Sequence, residues 1–66
     1  MTISVNGEPV TIPTTMTVSA LLKLLDVVPA QVAVELDGTI VPRESWSNVA
    51  ISPGALLEIV RFVGGG

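Results

Sequence analysis

The sequence predicts an α+β fold in which one main helix packs on one face of a mixed β-sheet. Three observations support this: one segment has apolar residues at helical spacing, strand-like segments lie before and after it, and the final strand is apolar on both faces. Apolar residues on both faces are typical of a strand in the middle of a sheet. The chain has 66 residues, and we expect one small domain, residues 1–62, followed by a flexible glycine tail, residues 63–66.

The first predicted element is a β-hairpin. Residues 2–5 alternate polar and apolar side chains, as a half-buried strand does. Asn6-Gly7 suits a type I′ turn, in which both central residues have positive φ. Residues 10–12 form the return strand, and Pro9 lacks an amide hydrogen, so it belongs at the start of this strand or on a sheet edge.

The predicted helix begins after Thr17, its N-cap, and continues to about Asp26. Its apolar residues recur at positions i, i+3, i+4 and i+7, which form one stripe that can pack on a sheet. Pro29 disfavours helical geometry at the residue before it, so the helix ends before that point. The residues of the stripe are Val18, Leu21, Leu22 and Leu25.

A second pair of strands follows the helix. Residues 32–36 are predicted to form the third strand, and Asp37-Gly38 a second turn of the hairpin type. Residues 39–41 then form a short fourth strand, which stops at Pro42 because proline cannot donate a ladder hydrogen bond.

The segment after this pair, residues 42–48, is predicted to be a turn or a single helical turn that carries Trp46. We favour Trp46 as a lid on the small core. A binding anchor is the alternative, since exposed aromatic residues are enriched at interfaces. Arg43 and Glu44 are expected to be solvated, with a specific contact as the alternative.

The last predicted strand, residues 56–63, is the longest and most apolar. It follows a turn at residues 52–54, where Pro and Gly occupy the two central positions. We place the strand in the centre of the sheet, with Leu57 and Ile59 facing the helix.

The other face of this strand is predicted to carry a partner-binding surface. Leu56, Val60 and Phe62 lie on the side of the sheet that the single helix leaves open, and exposed apolar patches mark interaction sites. The alternative is that residues 42–51 fold over them.

Composition excludes several classes of function. The net charge is −3 with three basic residues, which cannot supply the clustered Lys and Arg of a nucleic-acid-binding surface. The chain has no Cys and no His, so a thiol nucleophile and the commonest general base and metal ligand are missing. We therefore expect a protein that is not an enzyme and binds no metal or cofactor itself. Without a bilayer-spanning run or a secretory leader, it is expected to be cytoplasmic.

The chain ends in Gly64, Gly65 and Gly66. Glycine has no Cβ, so these residues can pass through a channel too narrow for side chains. Three extended residues span roughly 10 Å, which is enough to carry the Gly66 carboxylate into the active site of a partner. The alternative is an ordinary frayed terminus.

Over nearly its whole length the sequence resembles the ThiS family, the sulfur carriers of thiamine biosynthesis. The family has the β-grasp fold of ubiquitin, so the strand order expected here is inferred by analogy. The segments that carry the resemblance are the opening strand with Asn6-Gly7, residues 17–22 (TVSALL), 32–38 (VAVELDG), 40–46 (IVPRESW), 57–60 (LEIV) and 63–66 (VGGG).

The resemblance implies a mechanism. A ThiF-like adenylyltransferase, using ATP and Mg²⁺, would convert the Gly66 carboxylate to an acyl-adenylate. A persulfide sulfur donor would then displace AMP and leave a C-terminal thiocarboxylate. A ThiG-like thiazole synthase would take that sulfur to build the thiazole ring. Gly65 and Gly66 match the terminal pair of the family, and Gly64 lengthens the tail.

Three alternatives stay open. The small subunit of molybdopterin synthase has the same fold and the same thiocarboxylate terminus. A ubiquitin-like modifier would instead join Gly66 to a lysine by an isopeptide bond, and a β-grasp interaction module would have an inert tail. The sequence departs from the ThiS pattern at Ala55, where an acidic residue is usual, and at Leu56, where a charged or polar residue is common.

Overall fold

A computed structural model of the chain describes residues 1–62, so the predictions about residues 63–66 lie outside the described part. The main sheet has five strands in the order β2-β1-β7-β4-β5, and β3 and β6 form a second, two-stranded sheet. The elements in chain order are β1 (Thr2–Val5), β2 (Glu8–Thr11), β3 (Met16–Thr17), α1 (Val18–Leu24), β4 (Val32–Leu36), β5 (Thr39–Ile40), β6 (Ala50–Ile51) and β7 (Leu56–Arg61), with 3₁₀ turns at Pro29–Gln31 and Arg43–Ser45.

The last strand lies in the centre of the sheet, as predicted. It runs parallel to β1 and antiparallel to β4, and the hairpin partners β2 and β5 form the two edges. Pro9 lies on edge strand β2, opposite Ser4. With one helix and a mixed sheet, the chain has the predicted α+β fold.

Each turn adopts the backbone that its residues predict. Asn6 and Gly7 have φ values of 52° and 82°, and Asp37 and Gly38 have φ values of 51° and 85°. Two consecutive positive φ angles define the type I′ hairpin turn. At the third turn Gly54 has a φ of 78°, and the Ala55 amide donates to the Ser52 carbonyl at 3.1 Å.

The helix begins as predicted but ends earlier. The Thr17 hydroxyl accepts a hydrogen bond from the Ala20 amide at 3.2 Å, which caps the helix N-terminus. The helix was expected to reach about Asp26 but ends at Leu24. Asp26 has a φ of 59°, a left-handed conformation that cannot continue a right-handed helix.

The two-stranded sheet of β3 and β6 was not predicted. Its strands have two residues each, too few to show an alternating pattern. It joins the helix N-terminus to the segment after Trp46: the Val18 amide donates to the Val49 carbonyl, and the Ser19 amide to the Trp46 carbonyl, each at 3.0 Å. The segment that could have covered the open face of the sheet is therefore held against the helix.

The core lies between the helix and the main sheet, and Trp46 belongs to it, as predicted. Trp46 is 4% exposed, and its indole nitrogen donates to the Val41 carbonyl at 2.9 Å. The other buried apolar residues are Ile3, Ile12, Val18, Leu21, Leu22, Val32, Val34, Val41, Ile51, Ala55 and Leu57.

Arg43 is exposed, as predicted, but it also makes the specific contacts that were the alternative. Its guanidinium donates to the carbonyls of Pro29 and Val32 and lies 4.6 Å from the centre of the Trp46 ring. Arg43 thus ties the start of β4 to the segment that carries Trp46, because a guanidinium can donate several hydrogen bonds and stack on an aromatic face at the same time.

Candidate functional site

The open face of β7 carries an apolar patch. Leu56 is 62% exposed, Val60 52% and Phe62 54%, so the predicted exposure is confirmed. Leu57, on the opposite face of the same strand, is 2% exposed. The alternative, in which residues 42–51 cover the patch, is wrong because that segment packs against the helix N-terminus.

A fourth apolar side chain, which sequence reasoning missed, belongs to this face. Ile40 on β5 is 67% exposed and lies directly opposite Glu35 of β4. Cross-strand partners point to the same face of a sheet. The signal was present in the sequence, because a two-residue turn at Asp37-Gly38 pairs Ile40 with Glu35. Side chains alternate along a strand, so Glu35 faces away from the core side occupied by its apolar neighbour Val34.

Two carboxylates lie within this apolar surface. Glu58 is between Leu56 and Val60 on the open face of β7, and it lies directly opposite Glu35 of β4. Both residues are in the strands that form the centre of the sheet. We call these six residues the docking face: Glu35, Ile40, Leu56, Glu58, Val60 and Phe62.

Hydrogen bonds from residues of the two hairpin turns hold β7 at two points, its first residue and Ile59. The Leu56 amide donates to the Asp37 carboxylate at 2.9 Å, and the Asp37 amide donates to the Leu56 carbonyl at 2.7 Å. Further along, the Ile59 backbone amide donates to the Asn6 side-chain oxygen at 2.7 Å. The Asn6 side-chain nitrogen donates in turn to the Ile59 carbonyl at 3.2 Å. The Asn6 side chain thus continues the β1–β7 ladder after the backbone has turned away.

The last described residue is also anchored. The Phe62 amide donates to the Gln31 carbonyl at 2.8 Å, so the chain is hydrogen-bonded up to residue 62. Leu56 and Val60 lie on β7 and Phe62 directly follows it, whereas Gly64, Gly65 and Gly66 lie outside the described residues.

A shallow cavity of about 270 Å³ lies on the helix side of the sheet. Its lining includes Leu25 and Val27 after the helix, and Ile59 and Arg61 of β7. Within residues 1–62, no group of three or more Asp and Glu side chains could hold a metal ion, and no helix is both long enough and apolar enough to cross a membrane.

Residues 3–66 match the model of the ThiS family. The chain is also similar over its entire length to the crystal structure of the thiamine biosynthesis protein ThiS from Geobacter metallireducens. The two chains superpose with a TM-score of 0.87, are 36% identical, and each is covered completely. The fold of that protein is the predicted β-grasp arrangement.

Two curated relatives are thiazole synthases. The chain is 47% identical over 66 residues to the thiazole synthase of Paramagnetospirillum magneticum and 36% identical over 66 residues to that of Magnetococcus marinus. It is matched completely in both cases but spans only about 20% of the length of each relative.

The bonds between Asn6 and Ile59 generate a prediction about stability. Asn6→Gly keeps a residue that tolerates positive φ but removes both side-chain hydrogen bonds. We expect the free energy of unfolding to fall by about 1–3 kcal/mol, measured by urea titration with Trp46 fluorescence. The Ile59 amide should also exchange with solvent faster.

Asp26→Gly is the control. Asp26 is exposed and has a φ of 59°, so this variant measures the effect of placing glycine at another position with a left-handed backbone. Equal stability of the two variants would show that the Asn6 side chain does not hold β7.

Proposed function

The chain belongs to the ThiS family, and from this membership we propose that it is a sulfur carrier of thiamine biosynthesis whose Gly66 becomes a C-terminal thiocarboxylate. The observation that carries the proposal is the match of residues 3–66 to the family, which includes the terminal glycines. The chain itself acts as the substrate of its partners and is not an enzyme.

The proposed chemistry starts from a poor electrophile. The Gly66 carboxylate attacks the α-phosphorus of ATP, pyrophosphate leaves, and the acyl-adenylate now carries a good leaving group. The terminal sulfur of a persulfide attacks the acyl carbon and displaces AMP, which leaves an acyl disulfide. A thiol then cleaves its S–S bond by exchange and releases the thiocarboxylate.

The partners supply the catalytic groups in this proposal. ATP and Mg²⁺ bind to a ThiF-like adenylyltransferase, as phosphoryl chemistry requires a cation at the phosphates. The chain contributes a folded body that docks and a tail that enters the active site. Gly64 and Gly65 occupy the narrow part of the channel, because a residue without a Cβ takes the least space.

We propose a ThiG-like thiazole synthase as the acceptor of the sulfur. Support comes from the two relatives named thiazole synthase, each of which matches this chain over all of its 66 residues. A segment similar to the carrier within a thiazole synthase indicates that the carrier and the synthase act in the same reaction. The same observation favours thiamine biosynthesis over the molybdopterin pathway.

The docking face is proposed as the surface that the adenylyltransferase recognises. Its apolar side chains are exposed, and their burial in a complex would contribute roughly 25 cal/mol per Å². Phe62 is four residues from Gly66, so a partner seated on this face lies within reach of the end of the tail.

The tail generates one prediction. Gly65→Val should leave the urea midpoint unchanged, because residue 65 follows the anchored end of β7. It should lower kcat/KM for adenylation by about 100-fold or more, because a β-branched side chain blocks the channel and displaces the reacting carboxylate. Pyrophosphate release measures the rate. Normal adenylation of this variant would contradict the proposal that the channel is too narrow for a side chain.

The docking face generates a second prediction. Val60→Thr keeps the shape of the side chain but places a hydroxyl in the interface. We expect KM for adenylation to rise about fivefold, which corresponds to roughly 1 kcal/mol, with kcat little changed.

Val28→Thr is the matched control. Val28 is 52% exposed, like Val60, but lies in the connection after the helix, away from the docking face. Its KM should equal that of the wild type. An equal effect of the two substitutions would show that the docking face is not recognised.

A further inference from the structure

We propose that the surface which seats on the docking face presents a basic side chain, most favourably an arginine, to Glu35 and Glu58, within a surround of apolar contacts. This inference rests on the proposed function and deepens it, because it specifies the chemistry of the adenylyltransferase surface that receives the carrier.

The first argument is the position of the two carboxylates. Glu35 and Glu58 are direct partners in the antiparallel pairing of β4 and β7. The Cβ atoms of such partners lie about 4.5–5.5 Å apart, and like charges at directly opposite positions destabilise a sheet. The chain therefore carries a local repulsion that an external cation would relieve.

The second argument is the placement of the chain's own cations. The chain has three basic residues, and none of them lies on the docking face. Lys23 is on the helix, and Arg43 donates to backbone carbonyls beside Trp46. Arg61 is paired with buried Val32, so it is on the helix side of the sheet. None of these three side chains is placed to compensate the acidic pair, so a cation from a partner would do so.

The third argument is the apolar surround. Leu56 and Val60 flank Glu58 along β7, and Ile40 lies beside Glu35. A partner that buries these side chains also removes water from the two carboxylates. Burying carboxylates without a partner is strongly unfavourable because they lose their hydration, so a wholly apolar or acidic surface is rejected. A guanidinium can bond to both carboxylates through its fork of donors.

The same charges argue against a second copy of this chain as the occupant. Two docking faces placed together would bring four carboxylates into one apolar interface with no cation from either copy. The net charge of −3 on each chain adds a repulsion at longer range. Self-association through this face is therefore disfavoured, and a basic partner is favoured.

The test compares two double variants that remove the same charge. E35Q/E58Q neutralises the docking face, and E8Q/E44Q neutralises two exposed glutamates elsewhere. Glu8 pairs with Val5 on edge strand β2, and Glu44 is in a 3₁₀ turn. For each, kcat/KM for adenylation by the host adenylyltransferase is measured at low and at high salt, together with the urea midpoint.

We expect E35Q/E58Q to lose about tenfold in kcat/KM at low salt, mainly through KM, with a urea midpoint no lower than that of the wild type. The loss should shrink at high salt, which screens the wild-type attraction. E8Q/E44Q should stay close to the wild type.

Three results would overturn the inference. Wild-type rates for E35Q/E58Q would show that the acidic pair is not recognised, and equal losses in both double variants would show that only net charge matters. If the wild-type chain is itself not adenylated, the proposed function fails and the inference fails with it.

Discussion

The central position of β7 is the constraint on which the rest of the structure depends. The strand is hydrogen-bonded to β1 on one side and β4 on the other, and the bond from Phe62 to Gln31 extends this support to residue 62. One face of the strand contributes to the core, and the other is exposed. The exposed face carries Leu56, Glu58 and Val60, and the strand is followed in the sequence by Phe62 and residues 63–66.

This arrangement separates the core, which stabilises the fold, from the docking face, which we propose a partner recognises. The buried residues lie between the helix and the sheet, and they include Trp46, on whose ring the Arg43 guanidinium stacks. The docking face contributes little to the core because its apolar side chains are more than half exposed. Substitutions there are expected to have little effect on stability. In the proposed function, this independence lets recognition by a partner change without loss of the fold.

Local patterns predicted the helix, the three turns and the longer strands, because each rests on a few neighbouring residues. The order of the strands came by analogy, since periodicity does not encode which strands pair. The two-residue strands β3 and β6 were missed for lack of any period. The contacts of Arg43 were only the alternative, because its acceptors are backbone carbonyls, which no side-chain pattern reveals. The place of Ile40 on the open face follows from the β4–β5 register, which the turn at Asp37-Gly38 sets. The opposition of Glu35 and Glu58 follows from the β4–β7 register.

The most direct test of the proposed sulfur carriage is the intact mass of the chain after incubation with the host's adenylyltransferase, ATP and a persulfide sulfur donor. The account predicts a gain equal to the replacement of one oxygen by sulfur, localised by fragmentation to the peptide that ends at Gly66. An unchanged mass, with the same enzyme shown to modify its own carrier, would contradict the account.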